Sequence, residues 1–312
     1  MKLDIKYLLK HYSIIFAFVL VCVLLAALSP AFLKITNIMN VIRQTSIYGI
    51  MAVGMTFIIL TGGIDLSVGA ILALSGIVLA GSIKSGMPLE LVIPLTLLIG
   101  TVTGLVNGIV ITAGKITPFV ATLGMMSVAR GLTLIYSKGY PISGFDASFR
   151  FIGGGDILGL PLPIIFFFVT VLVAWVILNH TKFGRYTYAI GGNEETVKLS
   201  GINSNYYKVL VYMVAGFTCA MSALILTARL NSAEPIAGTG YELDVIAAVV
   251  IGGTSLNGGR GNIWGTLVGA LLIGVINNGM NLLGISPYFQ LIVRGLIIIL
   301  AVLLDRLRDD QT

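Results

Sequence analysis

Residues 261–293 read GNIWGTLVGALLIGVINNGMNLLGISPYFQLIV, with no Asp, Glu, Lys or Arg anywhere in the run. A bilayer core takes roughly 20 apolar residues per helix. The run is therefore too long for one crossing, and Gly284, Ser286 and Pro287 supply the turn at which it divides. Outward from it the pattern recurs. Uncharged runs cover 13–33, 44–64, 66–83, 91–114, 157–179 and 209–228. Another, Ile116 to Tyr136, is broken only by Arg130, and a shorter one, Val245 to Gly259, is bounded by Asp244 and Arg260. The expected fold class is all-α integral membrane, with about ten transmembrane helices in a single domain over 1–312.

Composition agrees. The chain is 57% hydrophobic and 10% charged, against roughly 25% charged in an average soluble domain. Nineteen basic, thirteen acidic and two histidine side chains cannot cover a globule of 312 residues in water, so lipid must replace water over much of the surface. Cys22 and Cys219 both lie in apolar runs without metal-ligand spacing and read as small hydrophobes. The net charge of +6 and pI near 9.3 bring no basic cluster with interleaved aromatics, so no nucleic-acid partner is expected.

Topology accounts for the basic residues instead. Ten spans put both termini on one side, and the Lys and Arg bias selects the side. With the termini inside, the cytoplasmic set is Lys2, Lys6, Lys10, Lys115, Lys182, Arg185, Lys198, Lys208, Arg260, Arg306 and Arg308. The outer set is the smaller one: Lys34, Arg43, Lys84, Lys138, Arg150 and Arg229. Both ends are thus expected in the cytoplasm. The first apolar run is long for a signal peptide and Pro30 sits where cleavage would fall, so it reads as an uncleaved helix.

The two halves echo each other in order. Ile58-Ile59-Leu60-Thr61-Gly62-Gly63 resembles Val249-Val250-Ile251-Gly252-Gly253, and Gly104-Leu105-Val106-Asn107-Gly108 resembles Gly274-Val275-Ile276-Asn277-Asn278-Gly279. Thr117-Pro118-Phe119 matches Ser286-Pro287-Tyr288, and Arg130-Gly131-Leu132 matches Arg294-Gly295-Leu296. An offset of five spans makes the copies cross in opposite directions, an inverted five-plus-five repeat over about 1–140 and 160–305, as in many transporters.

The 38 glycines need a reason in helical spans, since each costs about 1 kcal/mol of helix propensity relative to Ala. Gly100, Gly104 and Gly108 lie four apart, as do Gly265 and Gly269, so each set lines a face on which another backbone can approach. In Thr61-Gly62-Gly63-Ile64-Asp65-Leu66-Ser67-Val68-Gly69, paired glycines interrupt one helix, and Asp65 or Ser67 is placed to cap the next. Asp65 is read equally as a helix cap or as a transport residue that faces protein or water. Arg130 and Arg294 are expected to pair with carboxylates or backbone carbonyls inside the bundle. Asn107, Asn277 and Asn278 suit either interhelical hydrogen bonds or the hydroxyls of a solute. Glu234, Glu242 and Asp244 flank the outer end of the eighth span, as docking points for an external partner or as a solvated loop.

No Walker A pattern, HExxH pair, G-x-S-x-G elbow or His-Cys cluster occurs, so neither a catalytic residue nor a metal site is expected. Energy for uphill transport must come from an ion gradient or from another polypeptide. The loop from His180 to Lys208 favours the second. Asn193 is a good N-cap, Glu194 and Glu195 suit a positive helix N-terminus, Val197 and Leu199 are apolar, and Gly201 is a natural terminator. A short cytoplasmic helix follows, bounded by Gly191-Gly192 and Ile202-Asn203, in a loop long enough to suggest a function.

Four stretches carry a resemblance. They are Gly62-Gly63-Ile64-Asp65-Leu66-Ser67-Val68-Gly69, Gly191-Gly192-Asn193-Glu194 with Leu199-Ser200-Gly201-Ile202-Asn203, Gly238-Thr239-Gly240-Tyr241-Glu242-Leu243-Asp244, and Ile251-Gly252-Gly253-Thr254-Ser255-Leu256. Together they resemble the permease subunits of sugar-importing ABC transporters of the ribose type, within the binding-protein-dependent inner membrane family, over nearly the whole chain. The resemblance implies a type II-like, ten-span permease of the bacterial inner membrane that acts as a homodimer. It also implies a cytoplasmic ABC ATPase subunit that binds the ATP and Mg, none being bound by this chain, and an external sugar-binding protein that delivers a monosaccharide. It makes the segment with Gly192, Asn193, Glu194, Glu195, Lys198 and Gly201 the coupling helix that docks into the ATPase. Glu195 and Thr196 stand where the familiar loop has alanines, and Gly201 comes one residue late. Ribose is the sugar implied, with xylose, galactose or a sugar derivative left open. A proton-coupled symporter using Asp65 and a passive channel are the competing expectations from other classes.

Overall fold

The computed structural model describes residues 13–309; Lys2, Lys6 and Lys10 of the topology argument lie outside them. Thirteen helices are described: α1 Ser13–Leu28, α2 Ile35–Leu60, α3 Val68–Lys84, α4 Leu89–Thr112, α5 Pro118–Ser137, α6 Ala147–Gly154, α7 Leu162–His180, α8 Lys182–Gly192, α9 Glu194–Leu199, α10 Ser204–Leu230, α11 Tyr241–Ile251, α12 Ile263–Leu282 and α13 Pro287–Asp309. Two antiparallel ribbons of two residues per strand complete it, β1 Ile142–Ser143 with β4 Ser232–Ala233 and β2 Asp156–Ile157 with β3 Leu160–Pro161. Among the described residues six helices, α2, α4, α5, α7, α10 and α12, are long and apolar enough to cross a membrane, and shorter apolar helices run over Ile14–Leu28, Val68–Lys84 and Pro287–Leu303.

The polypeptide alternates between two faces. On one, here the Asn193 face, Gly259 N donates to Leu60 O over 2.9 Å and Tyr188 Oη to Gly261 O over 2.9 Å, bringing together 61–67, 181–203 and 252–262. On the opposite Asn231 face, β1 pairs with β4 and Phe145 N donates to Asn231 Oδ1 over 2.8 Å. Lys84 Nζ donates to Gly144 O over 2.6 Å at the same face.

Backbone apposition through glycine builds the centre. A Cβ at Gly100, Gly104 or Gly108 of α4 would strike backbone atoms of Gly216, Tyr212 or Val209 of α10, and one at Gly265 or Gly269 of α12 would strike the carbonyls of Gly252 or Ala248. Both four-spaced glycine sets thus serve contacts within the chain. α2 is buried continuously from Thr45 to Leu60. Apolar side chains such as Val19 and Leu20 of α1, Leu172 and Val173 of α7, and Leu296 and Ile299 of α13 are exposed, as a lipid-facing belt requires.

Four expectations need correction. The eighth span, 245–259, is instead the helix α11 from Tyr241 to Ile251 followed by an irregular loop. Eleven residues rise about 16 Å, half a bilayer core, and the helix stops at Gly252 and Gly253, the latter with φ +89°. Segment 234–240 enters the bundle before it: Gly238 lies against Gly69 so closely that neither could carry a side chain. Second, α2 begins at Ile35 rather than 44, because Arg43 sits within the helix and does not end it. Third, Gly191-Gly192 closes a helix of its own, α8, whose start is capped by Thr181 Oγ1 accepting from Gly184 N over 3.2 Å. Fourth, β1 and α6 occupy the stretch between the expected spans ending at 136 and starting at 157, and the run from 157 begins with the β2–β3 ribbon and becomes helical only at Leu162. The turn at Gly284 and Pro287 stands where the apolar run was divided, Gly284 having φ +69°.

Candidate functional site

Three polar places stand out, one on the Asn193 face and two inside the bundle. On the Asn193 face Asn193 caps α9, its Oδ1 accepting from Thr196 N over 2.9 Å. Gly201, at φ +79°, ends it: Gly201 N donates to Lys198 O over 3.0 Å and Ile202 N to Val197 O over 3.3 Å. Glu194 in the first turn joins Lys198 at 2.9 Å and Lys208 of α10, and accepts from Ser204 Oγ over 3.0 Å. Partial burial alone would raise the Glu194 pKa, but hydrogen bonds from Lys208 and Lys198, the Lys208 charge and the Ser204 hydroxyl together hold it down to about 2. Val197 packs inward while Glu195, Lys198 and Leu199 point out, Leu199 being 84% exposed. Helix α9 is thus fastened on one side and presents a free face on the other.

Its fastening reaches further through α8. Gly191 lies directly against the Leu60 carbonyl and the Gly259 amide, leaving no room for a Cβ, and Phe183 stacks on Phe57 at 5.8 Å between centroids. The α8–α9 pair is in this way bound both to the end of α2 and to the loop following α11. Gly192 itself is open, with nothing where a Cβ would go.

The second place lies just beyond the end of α2. Asp65 is fully buried, and its Oδ1 accepts from Ser67 N over 2.7 Å and from Ser67 Oγ over 2.5 Å. Asn107 Nδ2 of α4 donates to Ser67 Oγ over 2.9 Å, and its approach to Asp65 Oδ2 is 3.4 Å. Leu66 N donates to Thr122 Oγ1 of α5 over 3.1 Å. Ser67 stands at the N-cap position of α3, yet its side chain makes no capping bond. Asp65 takes the serine amide, and the serine hydroxyl donates back to Asp65. Asp65, Ser67 and Asn107, three expected site residues, therefore form one connected group, whereas Asn278 forms another, exchanging two amide hydrogen bonds of 2.9 and 3.0 Å with Asn37 of α2.

The third place is at the start of α11. Asp244 is buried to 4% exposure and pairs with Arg294 of α13 at 3.5 Å, and Asn277 lines the same small cavity. Of the three carboxylates considered for an external surface, Asp244 is thus turned inward. Glu234 is half-buried and accepts from Ser232 Oγ over 2.7 Å, and Glu242 is half-buried beside Gly69. Arg130 Nη1 donates to the carbonyls of Pro235 and Ala237 over 2.7 and 3.0 Å, holding the inserted segment. The arginines take one carbonyl set and one carboxylate. Sequence reasoning did not single out Ser204, Lys208 and Thr122 as partners, since nothing local to them signals the pairing. Among the described residues no cluster of His, Cys, Asp or Glu is arranged to hold a metal ion.

Comparison with known proteins gives a family match over residues 37–302, to the branched-chain amino acid transport system / permease component family. The chain is 49% identical over 304 residues to the ribose import permease protein of Haemophilus influenzae, covering 96% of this chain and 94% of that protein. It is 54% identical over 291 residues to the ribose import permease protein of Bacillus subtilis, covering 93% and 90%. The D-allose transport system permease protein of Escherichia coli is 39% identical over 298 residues, covering 95% and 91%. No solved structure matches the chain.

Proposed function

The chain belongs to the branched-chain amino acid transport system / permease component family, and from that premise we propose that it is the membrane-spanning permease subunit of an ATP-driven sugar importer whose solute is ribose. The observation that carries the reading is near-full-length identity of about half to ribose import permeases from two organisms. The chain itself is a transport component and not an enzyme.

Energy enters, on this reading, through α9. Its exposed Glu195, Lys198 and Leu199 form the surface that a cytoplasmic ABC ATPase engages, and that partner binds the ATP and Mg. A push on α9 moves α8 with it, and the Gly191 contact delivers the motion to the end of α2 and to the loop after α11. Both segments lead into the buried polar groups at Asp65 and Asp244. The Asn193 face is then cytoplasmic, with both termini on that side in the inner membrane, and an external sugar-binding protein docks on the Asn231 face, where Glu234 lies.

Taking segment 234–240 and α11 together as one crossing gives ten, with a five-plus-five inverted repeat. Supporting it, α4 and α12 carry the matched Asn107 and Asn277 segments and run in opposite directions, as do α5 and α13, each beginning at a proline. The Ile58–Gly63 and Val249–Gly253 echo does not fit, since α2 and α11 both end on the Asn193 face. The functional unit is a homodimer, the exposed apolar faces being shared between lipid and the second copy.

Growth tests the proposal. Cells lacking their own ribose importer, given this chain with its ATPase and binding protein, should grow on ribose and fail when either partner is omitted. Growth with this chain alone would refute it.

A further inference from the structure

The segments that lead α3 and α11 align residue for residue: Ile64-Asp65-Leu66-Ser67-Val68 against Tyr241-Glu242-Leu243-Asp244-Val245. Asp65 thereby matches Glu242, and Ser67 matches Asp244. The match continues in space. The helix after each brings back an asparagine the same distance from its end, Asn107 in α4 and Asn277 in α12. The helix after that adds a third polar group, Thr122 from α5 and Arg294 from α13. The first junction lies nearer the Asn193 face, where α3 begins and α4 ends, and the second nearer the Asn231 face, where α12 ends.

The two differ in how well they are satisfied. In the first, Asp65, Ser67 and Asn107 are at most 1% exposed and mutually bonded. In the second, Asp244 meets Arg294 at 3.5 Å, longer than a good charge-assisted hydrogen bond. Arg294 Nε is buried without an acceptor, and the half-buried Asn277 amide lines the same cavity. Between them lies a cavity of about 10 Å³, room for one water-sized group.

We propose that this cavity, bounded by Asp244, Asn277 and Arg294, is a subsite for a hydroxyl group of the transported solute. A hydroxyl both donates and accepts, and it would meet a carboxylate acceptor, a guanidinium donor and an amide that does both. The ligand class is a neutral polyhydroxylated solute. A free anion meets Asp244 and a free cation meets Arg294, so each is opposed by one member of the pair. Ile273, Ile276 and Ile297 give the apolar wall against which carbon–hydrogen faces of a sugar rest. Holding the solute widens the space by drawing α13 from α11, the hydroxyl standing between the two charges in place of their direct approach. The first junction, already complete, has no vacancy for such a group. This deepens the sugar-import reading and rests on it.

The test is protection of a cysteine. Ala247→Cys, a cavity-lining position outside the three polar groups, is introduced into a chain with Cys22 and Cys219 replaced by alanine, assembled with ATPase and binding protein in liposomes, and its reaction with a small thiol reagent is timed. Ribose with its binding protein should slow labelling about tenfold, the scale of a lost charge-assisted contact. Binding protein without ribose should not, and leucine, whose zwitterion also matches the pair, should not. Asp244→Asn, and independently Arg294→Lys, which keeps the charge but removes the Nε donor, should abolish protection. Equal labelling with and without ribose, in liposomes whose wild-type counterpart imports ribose on ATP, overturns the subsite alone, as does equal slowing by leucine or by empty binding protein. Wild-type liposomes that import nothing overturn the sugar-import reading, and the subsite with it.

Discussion

Asn107 Nδ2 donates to Ser67 Oγ over 2.9 Å, tying α4 to the residue before α3, while the same hydroxyl donates to Asp65. An amide, a hydroxyl and a carboxylate thus satisfy one another where water is excluded. Removing the acceptor strands the Ser67 amide and hydroxyl in the interior. Asp65→Leu should therefore cost about 2–4 kcal/mol, and Asn107→Ala, which leaves the Asp65–Ser67 bonds in place, about 1 kcal/mol. Thermal unfolding of the purified protein in detergent checks the order; a larger loss for Asn107→Ala would contradict it.

Helix α9 is held by a carboxylate with a depressed pKa. A depressed acid contributes stability above its unfolded-state value and loses it as pH falls through its folded value, here from about 4.5 down to about 2. ATP-coupled uptake should accordingly show no loss attributable to Glu194 between pH 8 and pH 5, ranges in which it stays ionised. Glu194→Lys, facing Lys198 and Lys208, should release α9 and cut uptake at least about tenfold, while Glu194→Gln, which keeps one acceptor oxygen and adds no positive charge, should retain more of it. Initial rates measured across pH for the three proteins decide the matter.

Two adjacent glycines should behave oppositely. A Cβ at Gly191 meets the Leu60 carbonyl and the Gly259 amide, both backbone, and one at Gly192 meets nothing within 4 Å. Gly191→Ala should disconnect ATP hydrolysis from uptake or prevent assembly, and Gly192→Ala should leave both intact. The ratio of solute imported to ATP hydrolysed separates the cases.

The same contrast applies within the spans. Gly104→Ala should lower the unfolding temperature, because α4 and α10 would have to part, whereas Gly124→Ala and Gly131→Ala fill open space on α5. By helix propensity these two gain up to about 1 kcal/mol. Calorimetric or fluorescence melts of the three variants provide the comparison.

These contacts show what a sequence can and cannot convey. The apolar runs announced a membrane protein, and local rules located Asn193 and Gly201 at the ends of α9, because both caps act within five residues. Four-residue spacing of Gly100, Gly104 and Gly108 announced a close helix contact, though not its partner, α10. Charges taken as span boundaries misplaced the start of α2, since Arg43 is carried inside the helix. Counting uncharged residues misplaced the eighth span, because Glu242 and Asp244 are carried inside the first turn of α11 while the uncharged loop 252–259 after it extended the run. The pairing of Asp244 with Arg294 across fifty residues has no local signature. It follows only once α11 and α13 are packed together.

Ribose uptake into proteoliposomes most directly tests whether this chain works as an ATP-driven permease. The vesicles hold the chain with its ATPase, binding protein is outside, and a protonophore is present throughout. Uptake that requires enclosed ATP and both partners, and that persists with the protonophore, is the predicted result. Uptake by this chain alone, abolished by the protonophore, would contradict the account and place the energy source in a proton gradient.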